Sequence, residues 1–352
     1  MLGVYLLSVT YLQILSGIVA EISCRNEAGQ AVDWFVLYKL PKYNINESAG
    51  SGLNYLYLDS MSEGWQPGRS LINMTESAVG RVLEQLYRTY RTNSAVYMMY
   101  NDAPPSMKNY TTKLGHSKGI LLFDKSQGFW LIHSVPRFPP FPEDGYGYPS
   151  TGQLYGQSAI CVTYKYQQFK EIAIQMFSYN PNVYNCSIPG EYWDDLWSLQ
   201  KICLGSHFPW VEPTHLITLE SANGDTFLSF AKSKYFVDDI FTGWIAQTLG
   251  TDILTETWQP RGDELPSNCS LAHHVFNIKR LTLPSHSSFY SSHDHSKWCV
   301  SRLATAPWTC IGDLNRNPSQ IWRSGGFICT QNKFIYNAFS RMVSYYKACI
   351  PL

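Results

Sequence analysis

The sequence predicts an α/β (α+β) sandwich built from two similar halves. Three observations carry that expectation. Apolar extended runs alternate with a few amphipathic helical stretches along the whole chain. A His-x-Lys pair occurs once in each half, as Gly115-His116-Ser117-Lys118-Gly119 and as Asp294-His295-Ser296-Lys297-Trp298. The 352 residues include 24 Tyr, 17 Phe and 11 Trp, enough large apolar side chains to fill a sizeable core.

From the N-terminus, Met1–Ala20 is apolar and uncharged, with Leu6, Leu7, Leu12, Ile14 and Leu15 as its hydrophobic stretch. Small residues at Gly17 and Ala20 suit a cleavage site, so residues 1–20 are expected to be a secretory signal peptide. No later run is long and apolar enough to span a membrane. Strands are expected at Val32–Leu40, Ala95–Tyr100, Gly119–Asp124, Gly128–Ser134, Ala159–Tyr166 and His274–Leu283. A helix is expected at Ser77–Tyr90, behind a Thr75 cap, with Val79, Val82, Leu83, Leu86 and Tyr90 on one face. Two more are expected at Phe236–Leu249, stopped by Gly250, and at Asn332–Tyr346.

The Pro- and Gly-rich segment Pro136–Gly156 marks the division. It separates an N-terminal half, 21–150, from a C-terminal half, 151–352, which pack as one catalytic unit. Each half places His-Ser-Lys on an extended run and then a Trp-bearing strand, Phe129–His133 in the first and Pro307–Ile311 in the second. That weak likeness suggests duplication. Arg261-Gly262-Asp263 lies in an irregular stretch and is taken as a chance match to an integrin-binding tripeptide.

Lys+Arg and Asp+Glu are equal at 27 each, so no net field draws a polyanion at neutral pH. Nine His change this in acid, where their protonation makes the protein cationic. Five Asn-x-Ser/Thr acceptors, at Asn46, Asn73, Asn109, Asn185 and Asn268, fit a glycoprotein of the secretory route. Nine Cys without a Cys-x-x-Cys argue for disulfides over zinc, and the odd count leaves a thiol over, for which Cys299 is the candidate.

A two-residue spacing on a strand puts His and Lys on one face, an imidazole beside a fixed cation. Two such pairs brought together can hold a phosphodiester between two imidazoles and two ammonium groups. A phosphodiester with no neighbouring hydroxyl to attack it cannot be cut by its own chain, so an enzyme working on it without a metal must supply the nucleophile. One imidazole can do so through a covalent phosphohistidine. The other protonates the departing ester oxygen and then activates water, while the ammonium groups offset developing charge. His116 is the expected nucleophile, with His295 as acid/base and Lys118 and Lys297 on the nonbridging oxygens. His133 and Asn315 are expected to support them, and Asp124 and Asp313 are weaker candidates for fixing an imidazole tautomer. Like charges should depress both imidazole pKa values and move the working range toward acid. A metal site at His286, His293 and His295 is the rival; Lys297 beside it would repel a cation.

The chain resembles the deoxyribonuclease II family, within the wider phospholipase D superfamily of His-x-Lys phosphodiesterases. The likeness extends beyond the two pairs to Val32–Phe35, Tyr38–Pro41, Tyr100–Asp102, Gly128–Pro136, Leu265–Ser270 and Trp308–Arg316. It implies a phospholipase D-like fold whose halves each hold a mixed sheet flanked by helices. It implies an acid, metal-independent and cofactor-free endonuclease that leaves 3′-phosphate and 5′-hydroxyl ends in the degradation of engulfed or apoptotic DNA. It also implies disulfides Cys24–Cys161, Cys269–Cys349 and Cys310–Cys329, leaving Cys186 and Cys203 as a local pair. The expected partner is double-stranded DNA read without sequence preference, the expected state a monomer or weak homodimer, and the expected site of action the lysosome, with secretion as the alternative. Two other functions compete for the same residues: a secreted phospholipase D-like phosphodiesterase, and a non-catalytic DNA-binding glycoprotein.

Overall fold

In the computed structural model, residues 21–43, 50–105, 112–206, 210–259, 262–284 and 287–349 are described. The expected leader 1–20, the sequon residues Asn46 and Asn109, Arg261 and His286 lie outside them. The chain begins with a short ribbon, β1 (Cys24–Arg25) and β2 (Ala31–Val32), then β3 (Trp34–Lys39), β4 (Tyr55–Asp59), β5 (Gln66–Pro67) and α1 (Ala78–Thr89). Next come β6 (Val96–Asn101), β7 (Lys118–Phe123), β8 (Gln127–His133), β9 (Gln157–Lys165), α2 (Tyr166–Tyr179), β10 (Val183–Ser187) and α3 (Trp197–Cys203). The second half holds β11 (Thr214–Glu220), β12 (Thr226–Lys232), α4 (Ala246–Leu249), β13 (Ile253–Glu256), β14 (Val275–Thr282) and β15 (Ser288–Tyr290). It ends with β16 (Trp298–Ser301), β17 (Thr309–Gly312), β18 (Gly325–Thr330), α5 (Lys333–Ser340) and β19 (Val343–Lys347).

The strands form two large sheets, so the α+β sandwich is observed. The first runs β10-β6-β7-β8-β9-β3-β4-β5, the second β11-β12-β18-β17-β16-β13-β14-β15 with β19 beside β14. The order β6-β7-β8-β9-β3 in one matches β13-β16-β17-β18-β12 in the other, and a helix follows both β9 and β18. This match in topology strengthens the faint internal likeness seen in sequence. The division at 150/151 does not coincide with the sheets, because β9 and β10 lie beyond it yet belong to the first sheet.

All six expected strands are present. The largest core cluster joins inward residues of both sheets, such as Trp34, Trp130, Trp298 and Ile328, with Phe169 and Met176 of α2 and Phe339 of α5. The outer face of the first sheet is covered by α1 through Val79, Val82, Leu83 and Leu86. Its cap is Ser77, not Thr75, the Ser77 hydroxyl accepting the Gly80 N–H at 3.0 Å.

Three differences from expectation have local causes. The second helix does not begin at Phe236: Asp239 accepts from the Thr242 N–H at 3.2 Å, a π-type turn fills 241–245, and only Ala246–Leu249 is α-helical. The last helix stops at Ser340, because the β-favouring run Val343-Ser-Tyr-Tyr-Lys347 pairs with β14. Helix α2 has no counterpart in the sequence reading; it grows directly from β9, with Lys165 at its cap supplying no side-chain hydrogen bond.

Four disulfides are formed, Cys24–Cys161, Cys186–Cys203, Cys269–Cys349 and Cys310–Cys329, and Cys299 is a buried free thiol. Cys310 and Cys329 are register partners on β17 and β18, so the bridge ties the two strands from which the Asp313–Ser324 loop springs. With a sequence separation of 19, its removal by Cys310→Ala with Cys329→Ala should cost about 2–3 kcal/mol. Thermal melting of the double variant checks this; an unchanged midpoint would show that the strands alone fix the loop.

Candidate active site

The His-x-Lys pairs lie where their strands begin. His116 stands two residues before β7 and Lys118 opens it; Lys297 immediately precedes β16, so each histidine sits in the irregular lead-in instead of the strand itself. Each histidine is held by a segment leading into the opposite sheet. The His116 backbone N–H donates to the Ser324 carbonyl at 2.8 Å, and that of His295 to the Gly156 carbonyl at 2.8 Å. Ser324 and Gly156 are equivalent, each being the residue before β18 or β9.

The imidazoles repeat the pattern. His116 Nδ1 lies 2.8 Å from the carbonyl oxygen of Asp313, just after β17. His295 Nδ1 lies 3.1 Å from that of Ser134, just after β8. A carbonyl only accepts, so the His116 ring carries its proton on Nδ1 and keeps a lone pair on Nε2. His295 has a choice. Its Nδ1 is also 3.0 Å from Lys297 Nζ, which can donate to it when that nitrogen is unprotonated. Both tautomers of His295 therefore have a partner, while His116 has one.

Both imidazoles line a single cleft of about 640 Å³, together with Lys118, Asp102, Asn315 and Arg323. His116 is buried and His295 half-buried. Lys118 donates to Asp102 Oδ1, and Asp102 Oδ2 lies 3.8 Å from both His116 Nε2 and Arg323 Nη1. The two lysines are not equivalent. Lys118 faces the cleft, whereas Lys297 is fully buried and donates to the carbonyl of His295.

Burial is the main force on the titrations. It lowers the pKa of His116, with Lys118 adding to the effect and Asp102 opposing it. It lowers His295 too, helped by Lys297 and Lys118. Like-charge repulsion thus acts as expected in direction but comes second to desolvation. Burial also pushes Asp313 up to about 8 against the pull of Lys118, and raises the buried Asp294 and Glu256. Burial would raise Asp102 as well, but Lys118, His116 and Arg323 hold it at about 2. In mild acid the Asp313 carboxyl is neutral while Asp102 stays ionised between Lys118 and Arg323.

The supporting residues divide. Asn315 lines the cleft, and its Oδ1 accepts the Trp258 N–H at 3.2 Å, setting the indole 5.3 Å from the His295 ring. His133 is turned away into a separate apolar pocket with Leu37, Val79 and Phe138. Its Nδ1 accepts the Val135 N–H at 3.2 Å, and burial lowers its pKa to about 3. It shapes the turn that presents the Ser134 carbonyl to His295, and it does not face the cleft. Asp313 acts on His116 through its main-chain carbonyl and not its carboxylate. Asp124 caps a remote turn by accepting from the Ser126 N–H at 2.7 Å and the Gln127 N–H at 3.0 Å. Of the remaining glycan acceptors, Asn73 is exposed, while Asn185 accepts from the Tyr97 hydroxyl at 2.9 Å and Asn268 from the Ser270 N–H at 2.9 Å. Sequence reading gave no role to Asp102, Trp258 or Arg323, which carry no motif and meet the histidines only through the fold.

Fold and site together define a protein in which two equivalent halves jointly build one dihistidine cleft. The deoxyribonuclease II family profile matches residues 23–349. Human deoxyribonuclease-2-beta is 54% identical over 94% of this chain and 92% of its own length. Mouse deoxyribonuclease-2-alpha is 41% identical over 94% of each chain, and plancitoxin-1 of Acanthaster planci 33% identical over 96% of this chain and 95% of its own. The chain belongs to the deoxyribonuclease II family, and is a hydrolase of that type.

Proposed function

We propose that this chain is an acid endodeoxyribonuclease that cuts DNA without a metal ion, through a phosphohistidine, leaving 3′-phosphate and 5′-hydroxyl ends. The observation that carries the reading is the different anchoring of two imidazoles in one cleft. His116 has a single Nδ1 partner, the Asp313 carbonyl, which leaves Nε2 as a lone pair suited to attack phosphorus. His295 is more open to solvent and has a partner for either tautomer, which suits a group that gives a proton to the 5′-oxygen and then takes one from water. Lys118 and Arg323 supply positive charge in the cleft for the nonbridging oxygens. Lys297 acts through His295, which it touches at both Nδ1 and the carbonyl.

The pH dependence follows from the direction of the shifts. His295 must be protonated for the leaving group, and its pKa lies below the ordinary 6.5, so the rate should climb as pH falls below that value. It should fall again when His116, also depressed, becomes protonated and loses its lone pair. The expected profile is a bell wholly on the acid side of 6.5 and insensitive to EDTA. Plasmid nicking by the purified protein across pH, with and without EDTA, checks it. An optimum above neutrality, or abolition by EDTA, would reject the mechanism, and DNA binding without nicking would favour a non-catalytic glycoprotein. The five acceptor sequons and the apolar first 20 residues support passage through the secretory route to an acid compartment, where engulfed or apoptotic DNA is degraded. Fractionation with lysosomal markers, and a glycosidase mobility shift, test that placement.

A further inference from the structure

Next to Arg323 the chain makes a 3-10 turn, Pro318–Trp322, that forms one rim of the cleft. The turn is firmly held. The Asn317 side chain accepts the Gln320 N–H at 3.1 Å, and the buried Lys232 donates to the Ile321 carbonyl at 2.8 Å. Two of its side chains line the cleft in opposite ways. The Trp322 indole is 63% exposed. The Gln320 side chain is only 8% exposed, and its carboxamide oxygen has no hydrogen-bond partner. A buried acceptor left unpaired is unfavourable, and a ligand N–H would relieve it. An exposed indole beside a phosphate-binding cleft offers a flat face of the kind on which bases stack.

We propose that this turn is a nucleobase subsite of the cleft: the Trp322 indole stacks on one base of the strand being cut, and the Gln320 carboxamide oxygen accepts an N–H from that base's edge. The inference rests on the phosphodiesterase reading of the same cleft. Stacking accepts any base, since each has a π-face. Each unpaired base offers an edge N–H, thymine through its ring N3–H and the others through an exocyclic amine, so the acceptor adds affinity for any base and none for a baseless chain. A base whose face is free for Trp322 has left its own stack. Bound strands are therefore opened next to the scissile phosphate.

The test compares the full-length protein with Trp322→Ala and Gln320→Leu on three chains: oligodeoxyadenylate, oligothymidylate, and a baseless phosphodiester chain of tetrahydrofuran spacers. Trp322→Ala should raise KM for oligodeoxyadenylate about tenfold, the scale of one lost stack, with little change in kcat. Its turnover of the baseless chain should stay within about twofold of the parent. Gln320→Leu should raise KM for both oligodeoxyadenylate and oligothymidylate and leave the baseless chain within about twofold of the parent. In a His116→Ala background, binding of oligodeoxyadenylate should quench tryptophan fluorescence, and adding Trp322→Ala should remove that quench. Equal losses on base-bearing and baseless chains, or no loss on either, would overturn the subsite while leaving the nuclease intact. A parent protein that cleaves none of the chains would instead overturn the phosphodiesterase reading on which the subsite rests.

Discussion

His116→Ala and His295→Ala are each expected to lose DNA cleavage by at least about a thousandfold, yet to differ on a diester with a nitrophenolate leaving group. Departure of a DNA 5′-oxygen needs a proton, so removing the acid stops the first step. Nitrophenolate leaves without help. His295→Ala should therefore still release one equivalent of nitrophenol in a burst, because His116 can attack and form the phosphoenzyme, and then stall for want of a base to activate water. His116→Ala should show no burst with either substrate. The assignment rests on tautomer control: the Asp313 carbonyl fixes Nδ1–H on His116, whereas Ser134 and Lys297 compete for the same nitrogen of His295. Rapid-mix measurement of nitrophenol decides it. A burst in His116→Ala and none in His295→Ala would reverse the two roles.

The pattern of the sequence carried the strands well because period and composition are local. Trp34–Lys39, Val96–Asn101 and Gln127–His133 each alternate or run apolar within one short segment. The four histidine and lysine positions were legible for a different reason, their repetition in both halves. What stayed hidden depends on long-range meetings. Asp102 reads as one more acidic residue until β6 and β7 pair and set it against Lys118. Trp258 becomes part of the site only because Asn315 reaches its backbone from far along the chain. His133 sits at the end of the strand beside β7, and its ring lines the pocket with Leu37 and Phe138, a placement that strand periodicity alone does not specify. Lys118 and Lys297 look alike in sequence and both are buried, and only the fold separates the one that lines the cleft beside Asp102 from the one that donates to the His295 carbonyl.

Arg316→Met should be the most destabilising single change near the cleft, at about 3–5 kcal/mol. Arg316 is 1% exposed, and its guanidinium is held by several hydrogen bonds. Its Nε donates to Asp239 at 2.9 Å, Nη1 donates to Asn277, and Nη2 donates to the Pro266 carbonyl at 3.1 Å. Methionine has similar length, so the loss would come from stranding the buried Asp239 and Asn277 side chains and not from an empty volume. Asp239 also organises the turn at Thr242, through its hydroxyl at 2.6 Å, so the damage should spread to the 241–249 segment. Arg316 follows Asn315 directly, and the same loop carries the Asp313 carbonyl that holds His116. Denaturant unfolding in the neutral range measures the loss. If Arg316→Met keeps the parent midpoint, the buried ion pair is not what fastens this loop; if stability falls as expected, surviving protein should also show a weaker His116 tautomer lock, seen as a pH profile displaced from the parent's.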